Sequence, residues 1–380
     1  MRAVHMEREA QSESPVTFRR HGALAQATLN LPRALNALNL EMIDLLSAQL
    51  EAWAEDDSVA CVWIDGSGDK AFCAGGDVVA LYEESASYTE ATAGEVSTEF
   101  TTTFFSHEYR LDHRIHTFEK PIVVWGGGYV MGGGIGIMAG ASHRIVTPST
   151  RMAMPEVTIG LFPDVGSGWF LNRMPGRLGL FLGLTGAQFN GSDALFAGMA
   201  DRMLADSDRE RALEAVAGLD FTGSAKTFHQ LVSDCLKDLQ LPLGEQPASV
   251  LREHYDIIQQ LTDFPTLPGV WHSITGYEGE DRWLQKAAKT LAGGSPMTPW
   301  VVWEQLQRAR HLSLVDVFRM ELALAVNLCN SGHLREGVRA LLVDKDRNPQ
   351  WQPARLEEVP LGEVLCCFRD PWPVHPLRDL

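Results

Sequence analysis

Two acids eight positions apart, Glu156 and Asp164, lie in Met154-Pro155-Glu156-Val157-Thr158-Ile159-Gly160-Leu161-Phe162-Pro163-Asp164. Apolar, proline and glycine residues surround them, so burial would raise both pKa values and suit the pair to acid, base or nucleophilic work. The structural alternative is a helix cap for one and an ion pair with Arg151 or Arg173 for the other. Two glycine-rich loops, Ala74-Gly75-Gly76-Asp77 and Gly132-Gly133-Gly134, each fall at an expected strand-to-helix junction. Glycine lets a ligand approach the backbone closely, and N–H groups at a helix start lack intrahelical acceptors. Each loop can therefore offer one donor to a developing oxyanion. Taken singly, either is equally a tight turn.

The elements that would position these groups follow from periodicity. Ala23 to Leu31 reads as a strand running into Pro32, and Leu38 to Ala54 carries apolar residues at helical spacing. Ala60 to Ile64, Pro121 to Trp125 and Arg144 to Thr147 read as strands, Ile135 to Ala139 starts a helix, and Asp77 is placed to cap the helix after its loop. Strand, loop and helix in alternation predict an α/β core with ligands at strand ends and helix N-termini. Beyond about Leu204 the pattern turns helical, clearest over 206–217, 225–239 and 248–261. Ser313-Leu-Val-Asp316 has the form of a capping box opening a helix to about Leu328, and the proline-punctuated tail from Trp351 is expected to lie across the surface.

Composition excludes several classes. The net charge is −17 over 380 residues, which disfavours nucleic acid and anionic membranes as partners, since both are bound through basic surfaces. The most hydrophobic stretch, Pro121 to Ala139, is broken by glycines and too polar to span a bilayer. The first residues lack the apolar block of a signal peptide, and Glu7, Glu9 and Glu13 argue against a mitochondrial presequence, so a cytoplasmic address is expected. Six cysteines show neither C-x-x-C spacing nor a companion histidine cluster, and His107 and His113 beside Glu108 fit no standard zinc pattern. Gly134-Ile-Gly136-Ile-Met-Ala139 matches a dinucleotide fingerprint only in letters, because its first glycine lies nine positions beyond the strand.

LNLPRALNALNLEMI, KAFCAGGDV, MGGGIG and AMPEVTIGLFPDVGSGWFL, in that order, resemble the crotonase (enoyl-CoA hydratase/isomerase) superfamily. EGVRALLVDKDRNPQWQP, with SPMTPW before it, extends the resemblance over about residues 16 to 360. The resemblance implies an α/β fold: a spiral of ββα turns followed by a helical C-terminal region. On that basis 1–15 is an N-terminal extension, 16–205 the spiral core and 206–380 the helical part. It further implies that the N–H groups of Gly76 and Gly133 polarise a thioester carbonyl and that the stretch Arg33, Ala34, Leu35 contacts coenzyme A. Glu156 and Asp164 would be the catalytic carboxylates, and Glu108 a substrate contact. Asp77, next to Gly76, is counted with the substrate-binding residues.

Hydratases of the superfamily carry a glutamate where this chain has Gly136, and glycine where it has Asp164. The pattern here resembles instead a hydrolase branch acting on a short branched 3-hydroxyacyl-CoA, a step in valine breakdown. Ser167 stands where that branch usually has glycine. The alternatives are hydration or isomerisation of an enoyl-CoA with Glu156 as the single base, and a non-catalytic CoA-ester-binding protein. Whether Glu156 attacks the carbonyl or activates water is open. No cofactor is required, the expected partner is an acyl-CoA, and self-association into a homo-oligomer is open.

Overall fold

Strands β1 (Val16–His21), β2 (Leu24–Leu29), β3 (Cys61–Gly66), β5 (Ile122–Gly126), β7 (His143–Val146) and β10 (Arg202–Met203) lie side by side in the computed structural model. It describes residues 14–83 and 98–380, so nearly all of the 1–15 extension lies outside the described residues. A second sheet holds β4 (Ala71–Cys73), β6 (Tyr129–Met131), β8 (Arg151–Ala153) and β9 (Phe189–Asn190). Successive strands alternate between the sheets, β3 then β4, β5 then β6, β7 then β8, pairing in parallel within each. This is the spiral expected of ββα turns. Antiparallel β1, which the sequence reading passed over, joins β2 through a two-residue turn with Gly22 at φ +63°.

Both faces of the parallel strands are covered, which explains their unbroken apolar runs. Val62, Ile64, Ile122 and Val124 enter a large core that runs without a break into the helices beyond residue 205. Their neighbours Cys61, Trp63, Val123 and Trp125 face the other way, into a small separate core. Helix α1 (Leu40–Glu55) is capped by the Asn39 side chain, which accepts from the Met42 N–H, and buries Met42, Ile43, Leu46, Leu50 and Trp53. Helices α2 (Glu99–His116) and α3 (Gly133–Gly140) pack on each other over the site. In the C-terminal part, α4 (Arg209–Ala217) and α5 (Ala225–Asp238) close the small core, while α6 (Met297–Ala309) and α7 (Leu314–Asn330) join the large one. Ser313 Oγ accepts from the Asp316 N–H and opens α7, as the spacing predicts.

One expectation needs correction. The stretch 248–261 is not one helix but two, Val250–Glu253 and Tyr255–Leu261, parted at His254. The tail lies across the surface as expected, mostly exposed, and is anchored at points: Leu356, Val364 and Leu377 are buried, Arg110 pairs with Asp379 at 2.6 Å, and Arg319 donates to the backbone oxygens of Leu377, Arg378 and Leu380. Its prolines set turns that return leucine and valine side chains to the core. No helix among the described residues is long and apolar enough to cross a membrane, and all six cysteines are free thiols.

Candidate active site

The glycine loops meet because the chain between β2 and α1 ties them down. Leu35 and Asn36 take positive φ, and Asn36 Nδ2 donates to the carbonyls of Ser67 and Ala71, so that turn is pinned to the loop after β3. Leu35 O accepts from Ala74 N, while Leu38 bridges the second loop, donating to Gly75 O and accepting from Asp77 N. Gly76 is thereby held against the start of α3. Gly133 occupies the first turn of α3, where a backbone N–H has no intrahelical acceptor. Among the described residues, neither the Gly76 nor the Gly133 N–H makes a hydrogen bond. Both residues line a cavity of about 310 Å³.

The same cavity is lined by Glu108, Glu156 and Asp164. Glu108, on α2, is 2% exposed, and its Oε1 lies where a Cβ on Gly133 would be. Glu156 stands on a single helical turn after β8; its Oε2 has no hydrogen-bond partner among the described residues. Asp164 Oδ2 accepts from the Tyr109 hydroxyl at 2.8 Å. Burial is the main cause of high pKa at all three acids. Asp164 is pushed up to about 7 despite the Tyr109 hydrogen bond, Glu156 is held well above the ordinary glutamate range by burial with the negative charges of Asp164 and Glu108 adding to it, and Glu108 rises by burial and beside Asp164. Neither member of the Glu156/Asp164 pair meets an arginine: Arg151 turns to the carbonyls of Pro148 and Thr150, and Arg173 stacks on Trp169. The ion-pair alternative is thereby removed.

The C-terminal helices hold the loop that carries Glu156 and Asp164. Thr298 donates to Leu161 O, Gln305 to Pro163 O, and the fully buried Glu321 of α7 accepts from the N–H groups of Gly166 at 2.7 Å and Gly168 at 2.8 Å. Val165, between Asp164 and Gly166, sits at φ +52°, a strained conformation for a β-branched residue that these bonds keep in place. Leu341 and Leu342, half exposed, reach the cavity from the C-terminal half.

A family model described as enoyl-CoA hydratase/isomerase matches residues 24–368. The chain belongs to that family. Among curated family members it is 36% identical over 365 residues to the mitochondrial 3-hydroxyisobutyryl-CoA hydrolase of Gallus gallus, covering 95% of this chain and 90% of that one. The Homo sapiens protein of the same name is 33% identical, covering 94% and 89%. Solved family structures include an enoyl-CoA hydratase from Rhodobacter sphaeroides, 34% identical, with a TM-score of 0.81 over 93% of this chain and 97% of that one. A carnitinyl-CoA dehydratase from Mycobacterium thermoresistibile is 36% identical, with a TM-score of 0.82 over 95% and 98%.

Within this family member, Gly76, Gly133, Glu108, Glu156 and Asp164 come together, and four other positions do not. Arg33, Ala34 and Leu35 form an exposed to half-buried turn beside the cavity, outside its lining. Asp77 caps the helical turn 78–83, its Oδ1 accepting from Ala80 N, and does not line the cavity. Ser167 is fully buried behind the loop, donating to Pro163 O and accepting from Gln305.

Sequence reasoning missed Tyr109, Asp112 and Glu321. The first two sit one and four positions past Glu108, so a helical projection from that acid would have found them. Glu321 lies inside the apolar run of α7, where a lone acid is itself a signal. The glycines of α3 also prove to have a second purpose. Gly133, Gly136 and Gly140 face Glu108, Asp112 and His116 in turn, letting α2 and α3 approach so closely that a Cβ at 136 would lie 2.6 Å from Asp112 Oδ2.

Proposed function

We propose that the chain hydrolyses the thioester of a short branched 3-hydroxyacyl-CoA, with 3-hydroxyisobutyryl-CoA as substrate and a role in valine breakdown. One observation carries the reading: two free backbone N–H groups and three buried acids share one cavity, while position 136 has no room for a side chain. The thioester oxygen would rest between the N–H groups of Gly76 and Gly133, and preorganised donors of this kind are worth about a hundredfold or more in rate. Glu156, with one oxygen unpartnered, either attacks the carbonyl carbon or draws a proton from water that does so. Asp164, steadied by Tyr109, binds the substrate hydroxyl and shares the proton, and Glu108 contacts the substrate from α2. No cofactor enters these steps.

A second reading has a specific basis, since the two solved relatives above are named as a hydratase and a dehydratase. It assigns Glu156 as a single base adding water to an enoyl-CoA. Incubation with 3-hydroxyisobutyryl-CoA and, separately, crotonyl-CoA distinguishes the two, with free thiol followed by a chromogenic disulfide and enoyl absorbance followed in parallel. Thiol release that collapses in Glu156→Gln and Asp164→Asn supports the hydrolase. Enoyl loss without thiol overturns it, and ligand binding with silence in both channels leaves a CoA-ester-binding protein.

The compartment proposed is the cytoplasm, whereas the curated relatives are named as mitochondrial; fractionation of the native cells decides it. Self-association through the exposed Leu361, Leu365 and Val374 is proposed as well, and light scattering tests it.

A further inference from the structure

Behind the active-site cavity lies a second one of about 280 Å³, and a thin wall parts them. Three elements build the wall, and each presents neighbouring residues to opposite sides. On α2, Glu108 faces the site and Asp112, one turn on, faces the rear. On α3 the same division falls between Gly133 and Gly136, and in the catalytic loop between Asp164 and Val165. Arg173 and Gly198, both exposed, mark where the rear cavity opens to solvent, so it is a blind chamber ending at Asp112.

Asp112 is the anomaly in this wall. It is 2% exposed, and neither carboxylate oxygen has a hydrogen-bond partner among the described residues, a costly arrangement for a group with no role. Both oxygens are closed off from water as the side chain stands, and a turn of the carboxyl toward the chamber brings it to water, for which the volume greatly exceeds the 10–15 Å³ or so that one molecule needs.

We propose that the rear chamber is a water-filled proton exit and that Asp112 relays protons into it from the active-site carboxylates while acyl-CoA fills the front cavity. The proposal rests on the hydrolase reading, whose chemistry creates the need. The oxygen of water bonds to the acyl carbon as the C–S bond breaks, one proton of that water goes to the departing thiolate, and the new carboxylic acid ionises. Each turnover therefore leaves one proton on a buried acid behind a bound ligand. Glu108 and Asp112, four apart on one helix, are neighbours on its surface, and α2 thus carries a step from one cavity to the other. Burial and the charges of Glu108, Asp164 and Glu321 hold Asp112 well above the ordinary carboxylate range, as suits a group that receives protons from these acids.

The test compares the wild-type chain, Asp112→Asn and Leu314→Trp, the last narrowing the chamber from its α7 wall at a residue that does not line the active-site cavity. Wild-type thiol release from 3-hydroxyisobutyryl-CoA is the prior condition; its absence overturns the hydrolase reading, and with it this one. In Asp112→Asn the expected result is kcat lower by about tenfold or more at unchanged KM, with a raised solvent deuterium isotope effect. Added formate, small enough for the chamber, restores the rate. Leu314→Trp lowers kcat in the same way and is not restored. A purely structural Asp112 predicts the opposite pattern: a higher unfolding midpoint, since an unpaired buried acid has gone, with kcat and isotope effect unmoved. That pattern overturns the relay, as does a fall in kcat that formate leaves unchanged and that carries no isotope effect, or a Leu314→Trp enzyme with wild-type turnover.

Discussion

Asp164→Asn should make the protein more stable and inactive, and the gain should depend on pH in a definite direction. Asp164 ionises near 7 in the folded chain, against 3.8 for an exposed aspartate, because it is buried and the Tyr109 hydroxyl compensates only in part. A carboxyl with a raised folded pKa favours the protonated form on folding. Its penalty is absent below the unfolded pKa, grows as pH rises, and is complete above the folded one. The rise from 3.8 to about 7 corresponds to roughly 4 kcal/mol at pH 8 and less than about 1 kcal/mol at pH 4. Asparagine carries no charge at either pH, and its amide oxygen can still accept from Tyr109. Urea unfolding of both proteins at pH 4 and pH 8 should therefore show nearly equal stability at the lower pH and a variant more stable by about 2–4 kcal/mol at the higher. A variant destabilised by the same amount at both would refute the reasoning, since it would mean that Asp164 is held by packing rather than strained by its charge.

Glu156→Gln should lower kcat by about a thousandfold while leaving the circular dichroism spectrum unchanged and, for the reason given for Asp164, raising the unfolding midpoint at pH 8. Gly133→Ala should cost about a hundredfold in kcat, because its Cβ would clash with Glu108 Oε1 and lie 3.2 Å from Leu38 Cδ1, whereas Gly76→Ala meets the Phe104 ring at 3.4 Å and Glu108 Oε1 at 4.0 Å, both ordinary contacts, and should lose much less; steady-state kinetics of the pair test this. Glu321→Ala removes the acceptor of two buried N–H groups and should destabilise by about 3 kcal/mol in urea titrations, with a fall in kcat as the strained turn at Val165 relaxes. The pH profile of kcat/KM should rise to a half-maximum above the ordinary glutamate value, since Glu156 acts ionised and burial beside Asp164 opposes ionisation; a midpoint near 4.5 would contradict that role.

Much of the fold could be read in the sequence because its parallel strands are short apolar runs ended by glycine, as at Cys61–Gly66 and Ile122–Gly126. Strand β1 shows apolar alternation only at Val16 and Phe18 before Arg19, Arg20 and His21, too short a signal to read alone, and takes its place through pairing with β2. The site divides in the same way. Glu156 and Asp164 announced themselves by their apolar setting, and the glycine loops by composition. Asp112 and Glu321 could be noticed by helical spacing from Glu108 and by an apolar setting, but not given a role, because their meaning lies in contacts with Gly136 and with the Gly166–Gly168 turn, distant in sequence. The tail's place on the surface could be read from its prolines, whereas its anchors Leu356, Val364 and Leu377 could not, because prolines mark where a chain turns and say nothing of which residues between them are buried.

The small core on the far face of the first sheet bears on how this sequence can change over generations. Trp63 stacks on Trp125 there at 6.1 Å, closed in by Leu213, Val216, Val232 and Leu236, and no residue of that cluster lines the active-site cavity. Substitutions in it alter stability through packing that the catalytic loop never touches, so drift can accumulate behind the sheet while the chemistry in front stays under strict selection. For laboratory evolution the same separation marks Cys61, Val123, Val216 and Leu236 as places to gain robustness first, before acyl preference is altered on the opposite face.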